Sequence, residues 1–320
     1  MVKVETRQKQ AAGATKLDEV DFKGKLVEFI WYMRKQGYAK STTKSRTKLI
    51  KRMVKLGANL CDPESVKKVI AEQSWCPGRK SNACDAYTTF LKMVGRDWEK
   101  PLYKSISKIP FIPQESEIDQ LIAGCSLKMA CFLQLLKETG MRPGEAWQMN
   151  WTDIDTVTRT VRVTPEKGSN PRIFHVSAKL AAMFANLQRE YTDRVFSTTD
   201  MQLDHHAGLF RRQRRRLANK LKNPRILQIT FKTFRHWKGT MEYHRTKDIL
   251  HVKNILGHKN IKNTLVYVTL AEELFKDQQE YISKVAKNVK EVCALVDAGF
   301  EYVTGEYDDG GKIFRKPKYA

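Results

Sequence analysis

Between residues 41 and 57 the chain reads STTKSRTKLIKRMVKLG. At about 100° per residue, Leu49, Ile50, Met53, Val54 and Leu56 fall on one face of a helix, and Lys44, Lys48, Lys51, Arg52 and Lys55 on the other. The pattern predicts an amphipathic helix with Ser41 or Thr42 as N-cap and Gly57 as its stop. NACDAYTTFLKMVG (82–95) repeats it, with Ala83, Tyr87, Phe90, Leu91 and Val94 as the core stripe. Residues 18–100 therefore read as a small helical bundle. Pro110 and Pro113 then forbid a continuous helix and require extended backbone before them, which predicts a linker over 101–113. A second domain is expected over 114–320, and residues 1–17 read as a basic, polar N-terminal arm.

Within the second domain, SLKMACFLQLLKETG (126–140) is apolar almost all round, as a buried helix stopped by Gly140 would be. MRPGEAWQMNW follows, with Pro143 placed for a first helical turn and Glu145 near its N-terminus, to orient Arg142 or cap the helix. The period then changes from helical to alternating. TRTVRVTPEKGSNPRIFHV (158–176) alternates Val161 and Val163 with polar neighbours, turns through Gly168-Ser169-Asn170, and resumes at Ile173, Phe174 and Val176. That is a β-hairpin with Lys167 at its turn. Asp153 and Asp155 read as strand-end structure. From about 178 the chain is helical again, and Leu209, Phe210, Leu217 and Leu221 anchor a basic helix carrying Arg211, Arg212, Arg214 and Arg215. The fold class is mainly α with a small β-hairpin or sheet.

Charge changes the picture from architecture to partner. The 320 residues hold 58 Lys+Arg against 35 Asp+Glu, a formal charge of +23. Such an excess repels itself, and a polyanion is the usual reason to carry it, so nucleic acid leads and an anionic membrane surface trails. No stretch approaches the roughly 18 apolar residues of a spanning helix. The N-terminus has no apolar signal region, so the six cysteines (61, 76, 84, 125, 131, 293) are expected as reduced, buried thiols in a cytoplasmic protein. His244, His251 and His258 recur every seven residues, but Gly257 breaks any helix that would align them, and no metal site is expected. The basic helical faces, Lys44, Lys48, Lys51, Arg52 and Lys55 in one and Arg211, Arg212, Arg214 and Arg215 in the other, are candidate DNA contacts.

The remaining question is chemical. In LGHKNIKNTLVYV (256–268) a histidine follows a helix-ending glycine, and Tyr267 sits nine residues beyond it. Together with TGMRPGEAWQMNWTDID (139–155), the hairpin lysine and FKTFRH (231–236), this stretch resembles the ordered motifs of the tyrosine recombinase, or phage-type integrase, family. The resemblance maps the family's catalytic residues onto Arg142, Lys167, Lys232, Arg235, His258 and Tyr267. The separation of 23 residues from Arg235 to His258 agrees with the family pattern. The ending GFEYV…DDGGKIFRKPK is similar to tails of archaeal members. Many relatives carry histidine where this chain has Lys232.

What the resemblance implies is a site-specific recombinase that clamps double-stranded DNA between a core-binding and a catalytic domain. It implies a homo-tetramer on two DNA sites, with segments beyond Tyr267 docking on a neighbour, and no cofactor. The residue types suit the reaction. Attack on phosphorus passes through a doubly negative five-coordinate state, which two guanidiniums can hold without a metal. A tyrosine link conserves the bond energy, and Lys167 suits protonation of the leaving 5′-oxygen. For Lys232 the expected role is a charge that stabilises tyrosinate and phosphate, while His258 or water takes the tyrosine proton. Taken singly, each residue has a plainer reading: Arg142 on a carboxylate across a helix junction, Lys167 as a hairpin-tip lysine, Arg235 as a solvated helix residue. His236, beside Arg235, is a rival imidazole. Type IB topoisomerase-like relaxation and a catalytically inactive DNA-binding relative are the alternatives, with a basic structural protein behind them.

Overall fold

In the computed structural model, α1 (Glu19–Lys35) and α2 (Lys40–Lys55) are joined by a turn through Gly37 at φ 72°. The structure describes residues 19–105, 108–166, 168–187, 193–197, 202–275, 281–305 and 310–317; the predicted N-terminal arm and Lys167 lie outside these. The chain divides into two compact units between Lys108 and Ile109.

The first unit is completed by α3 (Pro63–Glu72) and α4 (Pro77–Met93). Leu49, Ile50 and Met53 of α2 are buried with Phe29, Ile70, Tyr87 and Phe90, as the helical period requires. Burying each such side chain is worth about 1.5–3 kcal/mol. Two local expectations fail. Neither Ser41 nor Thr42 caps α2: Ala39 is the N-cap, and the Thr43 amide bonds the Ala39 carbonyl at 3.0 Å, so the helix begins earlier. Val94 is exposed because α4 ends before it.

The second unit opens with α5 (Glu115–Ala123), α6 (Leu127–Thr139) and the short α7 (Pro143–Trp147). As predicted, α6 is buried on nearly every side and ends at Gly140, whose φ of 61° a side chain would resist. The strands β1 (Ile154–Asp155), β2 (Thr160–Val163) and β3 (Arg172–His175) form an antiparallel sheet in that order. Asp153 and Asp155 accept local backbone hydrogen bonds, a structural role. In β3 the inward positions belong to Arg172 and Phe174, and Ile173 is 67% exposed. Strand alternation allows only one parity to face inward, and pairing with Val163 gives that place to Arg172.

Then follow α8 (Ala178–Ala185), α9 (Leu203–Lys220), α10 (Phe231–Thr246), α11 (Ile249–Leu256) and α12 (Val266–Leu274). Phe210 and Leu217 anchor α9, whereas Leu221 lies beyond its end and is exposed. Helix α10 packs against both α6 and α12. The tail, for which no elements were expected, contains β4 (Tyr281–Ala286), α13 (Val289–Asp297), β5 (Glu301–Thr304) and β6 (Lys312–Pro317), with β6 central in an antiparallel sheet.

All six cysteines are unpaired, but only Cys84 and Cys131 are buried; Cys76 and Cys293 are exposed, contrary to expectation. Among the described residues no helix is long and apolar enough to cross a membrane, and no cluster of His, Cys, Asp or Glu could hold a metal ion.

Candidate active site

The site begins where α6 ends. Gly140 turns the chain, and Arg142 stands extended before Pro143 at the first turn of α7. Glu145 reaches back to accept the Arg142 amide at 2.8 Å and the Arg142 guanidinium Nη1 at 3.1 Å. Its other partner is Arg172, whose Nη2 donates to Glu145 Oε2 at 2.6 Å. Burial works to raise the Glu145 pKa, but the Arg142 amide and the two guanidiniums outweigh it and hold the carboxyl below its ordinary range.

Arg235, on the second turn of α10, is buried. Its Nη1 donates to the Gly140 carbonyl at 2.8 Å and its Nη2 to the Leu256 carbonyl at 2.7 Å. Arg172 Nη1 donates to that same Leu256 carbonyl. Two guanidiniums thus meet the C-terminal end of α11, where unpaired carbonyls and the helix dipole favour cations. Burial, then repulsion from Arg142, lowers the Arg235 pKa to about 10, which leaves it charged at neutral pH.

Gly257 follows at φ 65°, and a Cβ there would lie 2.5 Å from Arg172 Nη1 and 2.8 Å from Ser169 Oγ. The absence of a side chain therefore lets the hairpin turn close on α11, where the Asn170 amide also bonds the Gly257 carbonyl at 3.3 Å. Arg172 is the residue that sequence reasoning missed. The signal was present: an arginine in the inward register of a hairpin must find a carboxylate or carbonyl inside.

His258 is buried, with Nδ1 2.9 Å from Thr264 Oγ1. Burial, and next the charges of Arg235, Arg142 and Arg172, push its pKa down to about 4. Its ring lies parallel to that of Tyr267, with centroids 6.4 Å apart. Tyr267, in the first turn of α12, is 2% exposed and packs with Val252, Leu256 and Leu270. Its ring rests on the backbone of α10 at Gly239, where a Cβ would approach Cζ to 2.8 Å. Burial raises the Tyr267 pKa, opposed by Arg235 and Arg142. The hydroxyl lies 3.4 Å from His236 Nδ1.

Arg142, Arg235, His258 and Tyr267 thus converge from the ends of α6, α10, α11 and α12. Lys232 is exposed on the first turn of α10. Lys167 is outside the described residues; the Glu166 amide before it lies 3.5 Å from Glu145 Oε1.

The candidate DNA contacts lie elsewhere. Lys44, Lys48, Lys51, Arg52 and Lys55 are all exposed along α2. Lys44, Lys48 and Lys51 join Arg34 and Lys40 around a groove of about 800 Å³ that Ile30 and Tyr38 also line. On α9, Arg211, Arg212 and Arg215 are exposed. Arg214 departs from that face: it is half-buried over the Phe210 ring and donates to the Ile229 carbonyl.

Residues 113–273 match the phage integrase family. The tyrosine recombinase XerA of Saccharolobus solfataricus is 25% identical over 206 residues, covering 63% of this chain and 66% of XerA. XerC of Chlamydia muridarum is 26% identical over 156 residues, covering 46% of this chain and 48% of XerC. The chain thus spans between about half and two-thirds of the length of these relatives. Among solved structures, the Tn1549 transposon integrase in complex with circular intermediate DNA superposes with a TM-score of 0.61 at 16% identity, over 76% of this chain and 94% of that one.

Proposed function

Because the chain belongs to the phage integrase family, we propose that it is a site-specific DNA recombinase that cuts and rejoins strands through a 3′-phosphotyrosine at Tyr267. The observation that carries this reading is the convergence of two arginines and a histidine on a buried tyrosine. Arg142 and Arg235 stabilise the charge that develops on the nonbridging oxygens. Each guanidinium has five N–H donors, and the bonds described at Arg235 use two, so others remain for phosphate. Preorganised donors of this kind are each worth about 3–4 kcal/mol of barrier.

His258, neutral and fixed through Nδ1 by Thr264, offers Nε2 to the same phosphate. Lys167 protonates the departing 5′-oxygen, and Lys232 adds positive charge at the mouth of the site. The exposed cations of α2, with Arg211, Arg212 and Arg215 of α9, contact the duplex backbone. The acting form is a homo-tetramer on paired DNA sites in the cytoplasm. The DNA complex of the Tn1549 integrase and the recombinase names of XerA and XerC support a DNA substrate.

The test is recovery of detergent-resistant protein–DNA adducts from a pool of nicked duplexes with a randomised core. Wild type should form an adduct and enrich one core sequence, while Tyr267→Phe should bind the same duplex and form none. An adduct that persists in Tyr267→Phe would move the nucleophile elsewhere. Supercoil relaxation without sequence enrichment would favour a topoisomerase.

A further inference from the structure

Attack by Tyr267 on phosphorus requires that its hydroxyl proton go somewhere. Lys232 is exposed, and a charged ammonium offers donors but no lone pair. His258 has committed Nδ1 to Thr264, and its ring lies at 8° to the tyrosine ring plane. At a centroid separation of 6.4 Å that imidazole makes no hydrogen bond to the Tyr267 hydroxyl, whose partner is His236. His236 is arranged differently. It sits one turn before Gly239 on α10, and residues three apart share a helix face. Because Gly239 has no side chain, the tyrosine ring lies flat on that face and its hydroxyl reaches back to His236. The two rings are tilted by 51° with centroids 5.9 Å apart, and His236 Nδ1 lies 3.4 Å from the hydroxyl oxygen. That is longer than a formed O–H···N bond, as catalytic contacts commonly are before substrate binds.

Resting on the assignment of Tyr267 as nucleophile, we infer that His236 is the general base, taking the Tyr267 hydroxyl proton onto Nδ1 as the oxygen attacks phosphorus. The O–H bond breaks, its electron pair forms the Oη–P bond, and the P–O5′ bond breaks as the 5′-oxygen leaves with a proton from Lys167. Rejoining runs in reverse, and His236 returns its proton to tyrosine. No other reactant is needed. Burial, then the charges of Lys232 and Arg235, keeps the free imidazole unprotonated at neutral pH, so its lone pair is available. A phosphate anion beside it raises its affinity for the proton at the moment of attack.

The experiment measures single-turnover cleavage of the duplex enriched by wild type, comparing wild type, His236→Asn and His236→Ala. Asparagine keeps a hydrogen-bonding group near the Nδ1 position but cannot carry the proton. Both variants should cleave at least about 10²-fold more slowly, the low end for a lost general base, with DNA affinity within about threefold of wild type. Replacing Tyr267 by a difluorinated tyrosine, which loses its proton more readily, should narrow the gap between variant and wild type at least tenfold. Added imidazole should partly restore His236→Ala. Cleavage by His236→Asn within threefold of wild type overturns the inference. So does a large loss that neither the fluorinated tyrosine nor imidazole narrows, which is the signature of a packing role. A wild-type chain that forms no adduct removes the recombinase reading and this inference together, whereas normal adduct formation with an indifferent His236 removes the inference alone.

Discussion

Two sets of cations in this molecule obey opposite physics. Along α2, Lys44, Lys48, Lys51, Arg52 and Lys55 stand in water on the polar side of an amphipathic helix. Around the end of α11, Arg172 and Arg235 are buried and share the Leu256 carbonyl, and Arg172 is paired with a buried carboxylate. The exposed cations need no fixed partner, and salt screens them within about 10 Å. The buried ones persist only because carbonyls and Glu145 satisfy them, and taking away one partner leaves the other uncompensated. The first set is suited to adding affinity in small, interchangeable increments. The second is suited to holding a geometry.

The sharpest way to break this contrast is Arg235→Ala. Cleavage should fall by at least about 10²-fold, the scale of a lost transition-state donor, while DNA affinity changes little. Filter binding beside single-turnover adduct formation separates the two, and parallel losses would make Arg235 an ordinary phosphate anchor.

Arg172→Ala comes next. It leaves Glu145 in the interior with one guanidinium fewer, and should lower unfolding free energy by roughly 3–5 kcal/mol. Arg172→Lys should not restore it, because an ammonium cannot reproduce the planar fork that spans Glu145 and the Leu256 carbonyl. Chemical denaturation reads both, and a lysine variant as stable as wild type would sink the bridging role.

Acid should separate the two units. All seven histidines lie beyond Ile109. Burial, aided by nearby cations, holds His206, His236 and His258 at about 4, below the ordinary 6.5. The unfolded chain therefore takes up protons before the folded one as pH falls. The stabilisation is complete above 6.5 and is lost progressively down to about 4. Allowing for solvent screening, the loss near pH 5 is on the order of 1 kcal/mol per histidine. Hydrogen exchange between about pH 7.5 and 5, corrected for intrinsic rates, should show protection falling in the second unit and holding in the first. Equal losses would count against it.

The smallest effect belongs to Lys48→Ala. Stability should stay within about 0.5 kcal/mol, and the slope of log affinity against log salt should drop by about 1. An unchanged slope would remove Lys48 from the proposed DNA contacts.

Local pattern carried much of the fold. Its information spans a few residues, and so do the interactions that set helices and hairpins. Hence α6 could be read from its all-round apolarity, the hairpin from alternation at Val161 and Val163, and the helix stops from Gly140 and Gly257. Ordered spacing likewise singled out Arg142, Arg235, His258 and Tyr267, which the tertiary structure gathers in one place. It missed what distance in sequence conceals. Arg172 meets Leu256 across 84 residues, Arg235 meets Gly140 across 95, and Tyr267 meets His236 across 31. Parity with Phe174 turns Arg172 inward, but nothing local names its partners, withdraws Arg214 from the basic face of its helix, or ranks His236 above Lys232 as the tyrosine's neighbour. Those outcomes rest on which carbonyl, carboxylate or ring lies opposite, and only the packed chain supplies it, because a buried charge is tolerated only where a partner from another element arrives.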